Sequence, residues 1–194
     1  MNRLLFSAAL AVSLGAGSAA NAQAIPAATV AVVDLEKVTS ECTACKSAAA
    51  TLRGQVTALQ SREQALTSPL ETEQKSIQAA VDALAGKQPD APLQARAKAW
   101  ETKRQQAAQE LARQQQQIQR NQAYISQQIQ TKLGPIYQQV MQRRGANLMV
   151  EAGNTLATSS AIDVTTDVLA ALNSALPAVQ TTAPAAAQQK PQGR

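Results

Sequence analysis

The stretch GKQPDAP, residues 86–92, interrupts a long segment that is otherwise rich in Ala, Gln, Lys, Arg and Glu. Those residue types favour helix, whereas one glycine and two prolines within seven residues end a helix. The sequence therefore predicts two long helices within residues 45–145, one on each side of this stretch. With roughly 40 residues before the break, the first helix would be about 60 Å long.

Apolar residues of the first helix recur at alternating intervals of four and three, which is typical of a coiled-coil seam. If the second helix returns antiparallel to the first, the numbers of facing residues have a constant sum. Six apolar pairs, including Leu59 with Ile118, add to 177. The same register places Glu73 opposite Arg104. We therefore expect an antiparallel helical hairpin, a coiled-coil arm over residues 45–145, with its tip at residues 86–92.

Short segments with strand chemistry flank the arm. Residues 29–34, TVAVVD, and residues 148–151, LMVE, are predicted to be strands. A second short strand is predicted near residues 155–157, and a closing helix from about Thr165. Such short strands cannot bury a core alone and would leave open edges. The fold class is therefore α+β, with a small β-body of residues 23–44 and 146–176 that is shared between copies of the chain.

The N-terminus has the features of a secretory signal peptide. The positive start MNR precedes an apolar run over residues 4–14 that is too short to span a bilayer. Ala20 and Ala22 then form an A-x-A-type cleavage site. We expect residues 1–22 to be removed and the mature chain to be exported.

Composition limits both the core and the partners. Aromatic residues make up only 2% of the chain, and alanine dominates its hydrophobic share of 45%. Few large side chains are thus available, so the shape is elongated or several chains share a core. Residues 177–194, rich in Pro, Ala, Gln and Thr, are predicted to be a disordered tail. The net charge of +5 favours acidic partners, which for an exported chain are anionic envelope lipids or acidic polypeptides rather than nucleic acid.

Cys42 and Cys45 are the only cysteines, and they have the C-x-x-C spacing of disulfide oxidoreductases. Such enzymes place the motif in a βαβ sheet, whereas here a long hairpin follows the strand. We expect either an intramolecular disulfide that closes a small loop or an intersubunit bridge where the arms emerge. The chain has no histidine, phosphate-binding loop or nucleophile elbow, and a zinc site would need two more ligands. Neither an enzyme nor a cofactor or metal is expected.

The sequence resembles the Skp/OmpH family of periplasmic chaperones for outer-membrane proteins. The resemblance covers the mature chain except the tail, and includes the V-A-V-V-D strand at residues 30–34 and the charged hairpin. Its most specific part is NLMVEAG followed by AIDVTTDVLAAL, with the residues Asp163, Thr165, Asp167, Val168 and Leu169. The chain departs from the family pattern in its C-x-x-C pair, its Gln-rich second arm helix and its tail.

The resemblance implies a periplasmic homotrimer, in which small strands join into one body and three arms enclose an unfolded outer-membrane protein. It also implies that the chaperone acts without ATP, as a holdase. A purely structural coiled-coil adaptor of the cell envelope is the alternative, because heptads alone do not distinguish a spacer from a chaperone.

The second arm helix is strongly basic. Outer-membrane proteins are often acidic, and a basic surface speeds their capture through long-range attraction. We predict that clients contact six of its cations: Arg96, Lys98, Lys103, Arg113, Arg120 and Lys132. The alternative for each of these positions is an ordinary solvated helix face.

Overall fold

The computed structural model describes residues 26–184. Its helices and strands follow in the order β1 (Val30–Val33), α1 (Leu35–Glu41), α2 (Thr43–Asp82), α3 (Ala91–Arg144), β2 (Leu148–Glu151) and α4 (Thr165–Ala175). Single 3₁₀ turns at Ala152–Asn154 and Ser160–Ile162 lie between β2 and α4. The predicted signal peptide, residues 1–22, lies outside the described residues. None of the helices within residues 26–184 has the length and hydropathy that crossing a bilayer requires.

The two long helices predicted on either side of residues 86–92 are confirmed. They contain 40 residues in α2 and 54 in α3, which correspond to lengths of about 60 and about 80 Å. Hydrogen bonds join Gln55 to Asn121 towards one end and Glu73 to Arg96 towards the other. Since the numbers rise along α2 as they fall along α3, the helices are antiparallel.

The tip of this arm is a reversal that the local sequence specifies. Ala85 and Gly86 have φ angles of +47° and +89°, in the left-handed region that ends a helix. Asp90 then caps α3, because its Oδ1 accepts a hydrogen bond of 3.0 Å from the N–H of Leu93. Pro92 lies in the first turn, where no helical N–H donor is needed.

The predicted pairing of Glu73 with Arg104 is wrong. Glu73 instead accepts hydrogen bonds from Arg96, and the two numbers add to 169 rather than 177. Arg104 pairs with Glu101, three residues back on its own helix, at 2.8 Å. Arg104 is thus engaged by a carboxylate one turn away on its own helix, and long side chains pair along a helix as readily as between helices.

A two-stranded parallel sheet lies at the base of the arm. Strand β1 pairs with β2, with Val32 opposite Val150, and the arm is the crossover that a parallel pair requires. On the other side of β1, the N–H of Val164 donates to the carbonyl oxygen of Val32 at 2.8 Å. Thus β1 is the central segment, and within the described residues the outer edge of β2 has no strand partner.

The strand predicted near residues 155–157 does not form. The chain turns through a 3₁₀ helix at Ala152–Asn154 instead, and the residues after it pair with no strand. Leu156 there is fully exposed. Strand chemistry produces a strand only where a partner edge is in reach, and none lies beside this segment within one described chain.

The best-buried core lies where the base of the arm meets the sheet and α4. Val38 of α1, Val140 of α3 and Leu172 of α4 have no exposed surface. Farther along the arm, seam residues such as Leu59 and Leu66 are only half-buried. The base therefore holds most of the hydrophobic stabilisation, and the arm extends from it as two helices with a thin apolar seam.

The prediction that the chain is disordered from residue 177 onward is wrong for residues 177–184. These residues continue from α4 and run along α2 and α3, where Gln180, Thr181 and Ala183 are hydrogen-bonded. Composition underestimates order here because the segment is held largely through backbone hydrogen bonds, with Val179 packed against the core. Residues 185–194 lie outside the described part of the chain.

Candidate functional site

The six predicted client-contacting cations differ in their surroundings. Four of them are exposed and belong to none of the ion pairs found within residues 26–184: Lys98, Lys103, Arg113 and Lys132. Arg96 is paired with Glu73 at 3.0 Å. Arg120 is half-buried and donates to the side-chain oxygen of Gln117. The structure therefore offers four available cations and two that are already engaged within the arm.

The positive charge of the arm belongs to α3. This helix carries nine Lys and Arg residues and two Glu residues, whereas α2 carries four basic and four acidic residues. Both acidic side chains of α3 are held by arginines. Glu101 accepts from Arg104 and Gln105, which lowers its pKa from 4.5 to about 2, and Arg62 lowers the pKa of Glu110. One helix of the arm is thus basic and the other electrically balanced.

A cavity of about 270 Å³ opens between the two helices in the middle of the arm. Leu66, Pro69 and Leu70 line it from α2, and the small side chain of Ala107 faces them from α3. Pro69 has no N–H to donate to the carbonyl oxygen of Ala65, which also lines the cavity. Lys103, Gln106 and Glu110 complete the lining. The cavity can hold an apolar side chain beside an available cation.

Cys42 and Cys45 form a disulfide at the corner between α1 and α2, with their Cα atoms 5.1 Å apart. Cys42 is also the N-cap of α2, because its Sγ accepts a hydrogen bond from the N–H of Cys45 at 3.2 Å. Both cysteines are buried in the core beside Leu133 and Ile136. The bridge fixes the start of the arm, and it lies in a fold that is not thioredoxin-like. In the described part of the chain, no cluster of His, Cys, Asp and Glu side chains could hold a metal ion.

The family-specific residues at the end of the chain connect β1, α3 and α4. Thr165 is buried, its Oγ1 accepts from the N–H of Asp34, and its own N–H donates to Asp163. Hydrogen bonds to Asp163 from the side chain and the backbone N–H of Thr165 lower the pKa of Asp163. Asp167 pairs with Arg144 in the last turn of α3 at 2.6 Å. The segment therefore ties the returning helix of the arm to the sheet.

A family model described as outer membrane protein (OmpH-like) matches residues 29–172. The chain belongs to the OmpH-like family. The match runs from the start of β1 into α4, so it includes the whole arm and excludes residues 177–184. Among curated proteins, none matches the sequence.

This OmpH-like chain is similar in fold to an OmpH-like protein of Caulobacter crescentus CB15 whose crystal structure is described as that of a proposed outer membrane chaperone. The TM-score is 0.66 at 16% sequence identity, over 81% of this chain and 90% of the other. At this identity the likeness concerns the fold. It supports the arrangement of a long helical arm beside a small body.

Polar residues that sequence reasoning missed form a second surface, near the base of the arm. Gln55 on α2 and Gln117, Asn121 and Gln128 on α3 bind the backbone of residues 180–183 with their side-chain amides. The Gln-rich composition of the second arm helix was the only signal of this surface. Composition alone does not tell which of its many glutamines share a face.

Proposed function

We propose that this chain is an ATP-independent holdase chaperone of the periplasm. It captures unfolded outer-membrane proteins between its basic arms and prevents their aggregation before membrane insertion. Membership of the OmpH-like family supports a chaperone role. The observation that carries the proposal is the group of four exposed α3 cations outside every ion pair of the described residues: Lys98, Lys103, Arg113 and Lys132.

Charge on one helix suits capture of a client that has no fixed structure. Exposed cations attract an acidic polypeptide over about 10 Å at moderate salt, without requiring a sequence motif. The long side chains of Lys and Arg also offer apolar stems to client side chains. The cavity beside Pro69 adds a shallow apolar site next to Lys103. Many weak contacts of this kind hold a chain against aggregation and still allow its release.

A homotrimer is the proposed active unit. The open edge of β2 within one chain supports this, since a sheet of two short strands is marginal alone. Leu148 on β2 is 46% exposed and Leu156 is fully exposed, so two large apolar side chains lack a cover in the single chain. Neighbouring copies would cover both and complete the body from which three arms extend.

The proposed location is the periplasm, reached through the cleaved signal peptide of residues 1–22. Anionic envelope lipids are a further proposed partner of the same cations, whereas an exported chain has no reason to meet nucleic acid. No enzymatic activity is proposed, because Cys42 and Cys45, the candidates for redox chemistry, are joined in a buried disulfide that stabilises the base of the arm.

The proposal is tested by diluting a urea-unfolded, acidic outer-membrane barrel protein into buffer with the mature chain, without nucleotide, while light scattering is followed. We expect the chain to suppress scattering at about one trimer per client. A chain that is folded and trimeric but leaves aggregation unchanged would favour the alternative of a coiled-coil adaptor without chaperone activity.

A further inference from the structure

The chain's own residues 178–184, hereafter the strap, bind to the arm in the way that a β-strand binds its neighbour. The N–H of Gln180 donates to Oε1 of Gln128 at 3.0 Å, and Nε2 of Gln128 donates back to the carbonyl oxygen of Gln180 at 2.9 Å. One side-chain amide thus satisfies both backbone groups of one residue. This is the exchange that paired residues make in an antiparallel sheet.

The same pattern recurs three residues farther along the strap. The N–H of Ala183 donates to Oδ1 of Asn121 at 2.8 Å, and Gln117 donates to the carbonyl oxygen of Ala183 at 3.3 Å. Between these points, Gln55 of α2 donates to the carbonyl oxygen of Thr181 at 3.3 Å. Within residues 26–184, one further hydrogen bond, from the hydroxyl of Tyr124 to Oε1 of Gln180, involves a strap side chain, and Val179 packs against the core at the base.

The surface that makes these bonds is held in place by bonds of its own. Asn121 is only 3% exposed, and its Nδ2 donates across the arm to Gln55 at 2.9 Å. Its Oδ1 also accepts from Gln117 at 2.7 Å. A buried amide is tolerated only when it is hydrogen-bonded, and these partners keep Asn121 in position whether or not the strap is bound. We call the four residues Gln55, Gln117, Asn121 and Gln128 the amide groove.

We propose that the amide groove is a binding site for extended, uncharged polypeptide segments, recognised through their backbone, and that the strap occupies it until a client segment displaces it. The inference rests on the proposed function and names the part of an unfolded client that this site takes. An unfolded barrel protein presents unpaired backbone N–H and C=O groups at every residue, and strand-like addition is a common way to bind them. Because the hydrogen bonds of the groove go to backbone groups of the strap, they give little basis for requiring a particular sequence.

Two cavities adjoin the groove and have room for client side chains. One of about 250 Å³ continues along the seam past Asn121, lined by Leu59 and Ile118. The other, of about 490 Å³, lies beside Gln128, between Tyr124 and Lys132 on α3 and Ala178 and Gln180 of the strap itself, and opens further once the strap leaves. Lys132 is one of the available α3 cations, so the groove is continuous with the charged surface.

The test uses the full mature chain and releases the strap without altering the groove. The release variant Gln180→Pro with Ala183→Pro removes the two strap N–H donors that the groove binds. Its matched control is Ala178→Pro with Thr182→Pro, which places two prolines where no N–H bond to the groove is found. Two further variants add Asn121→Leu or Gln128→Leu to the release variant. Gln128 lies at the partly exposed edge of the groove, so its loss does not threaten folding.

The probes are three labelled octapeptides, followed by fluorescence anisotropy. The first has the sequence PAVQTTAP of residues 177–184. The second is the same peptide N-methylated at the positions of Gln180 and Ala183. The third is an octapeptide of unrelated sequence composed of Ser, Ala and Thr. An intramolecular competitor acts at an effective concentration in the millimolar range, so we expect the release variant to bind the first and third probes at least about tenfold more tightly than wild type. The control variant should bind the probes as weakly as wild type does. The tighter binding should disappear in both groove variants, and the release variant should not show it with the N-methylated probe.

Equal binding by wild type and the release variant would overturn the proposal, as would a gain that survives Gln128→Leu. A gain confined to the PAVQTTAP probe would overturn backbone recognition of clients. The same proteins are assayed for suppression of client aggregation. If wild type suppresses aggregation but no variant gains peptide affinity, the groove fails and the holdase stands. If peptide binding appears without suppression, the holdase fails and the groove stands as a peptide site.

Discussion

Arg62 on α2 and Glu110 on α3 join the two helices of the arm through two hydrogen bonds, of 2.7 Å from Nε and 3.2 Å from Nη2. The guanidinium binds the carboxylate with both of its facing donors, which is the strongest geometry available to such a pair. Both side chains remain partly exposed, so the pair aligns the helices and adds little to stability.

This pair and its neighbour predict how the arm responds to acid. The pKa of Glu110 is lowered by Arg62 and that of Glu101 is lowered to about 2 by Arg104. Groups with a lowered folded pKa stabilise the fold above the usual carboxyl pKa, and this is lost as the pH falls through the lowered values. Because these pairs are partly exposed, we expect a small fall of the Tm, followed by circular dichroism, between about pH 4.5 and 2, and a smaller one in Glu101→Gln with Glu110→Gln.

The control for this titration is Glu63→Gln with Glu71→Gln, two exposed residues of α2 outside the ion pairs of the described chain. It should keep the acid dependence of wild type. Equal slopes for all three proteins would show that the arm pairs do not act in the folded chain.

The disulfide is expected to stabilise the base of the arm without serving the client. Closing so small a loop is worth about 2 kcal/mol in the chain-entropy description. Cys42→Ala with Cys45→Ala should therefore lower the free energy of unfolding by about that amount while aggregation suppression persists. Urea unfolding measures the loss of stability, and light scattering measures the suppression of aggregation. Full loss of suppression in a double variant that still folds would contradict the prediction and point to redox chemistry.

The N-cap role of Cys42 gives a separate prediction. Serine keeps a side-chain acceptor for the N–H of Cys45, and alanine does not. Cys42→Ser with Cys45→Ala should be more stable in urea than Cys42→Ala with Cys45→Ala by about 1 kcal/mol. Equal stability would mean that the cap bond at this corner contributes nothing.

The core at the base and the seam of the arm should differ in their sensitivity to truncation. Leu172 has no exposed surface, so Leu172→Ala is expected to cost about 2–5 kcal/mol of unfolding free energy. Leu66→Ala on the half-buried seam should cost clearly less, because less apolar area leaves the water on folding. Similar losses in urea unfolding would contradict a core concentrated at the base.

Leu156 is expected to lie in the contact between subunits. Leu156→Asp should shift native mass spectra from trimer towards monomer, because a charge would enter a covered apolar site. Ala157→Asp, the same charge on the next exposed residue, is the control and should leave the trimer in place. A monomeric wild type at micromolar concentration would contradict the shared body itself.

The arm could be predicted because each of its signals is local. GKQPDAP breaks any helix, and the flanking residues favour one, so two helices follow from short-range preferences alone. The partner of Glu73 could not be predicted, because the facing helix carries several arginines and helix periodicity does not choose among them. The segment 155–157 could form a strand only beside the edge of another strand, and its own sequence does not specify where such an edge lies. The ordered conformation of the strap could not be predicted for a related reason, because it depends on hydrogen bonds to Asn121 and Gln128, which lie more than fifty residues away in the sequence.

The central claim, that the α3 charges capture clients, is tested most directly by the rate of capture at low salt. Stopped-flow fluorescence of a labelled, unfolded acidic barrel protein compares wild type with Lys98→Glu, Arg113→Glu and Lys132→Glu combined. The matched control makes the same charge change on α2, with Lys46→Glu, Arg53→Glu and Lys75→Glu. We predict capture at least about tenfold slower for the α3 variant than for the α2 variant, with the difference vanishing as salt screens the charges. Equal rates for the two variants at low salt would contradict the claim and leave the α3 cations as a solvated face.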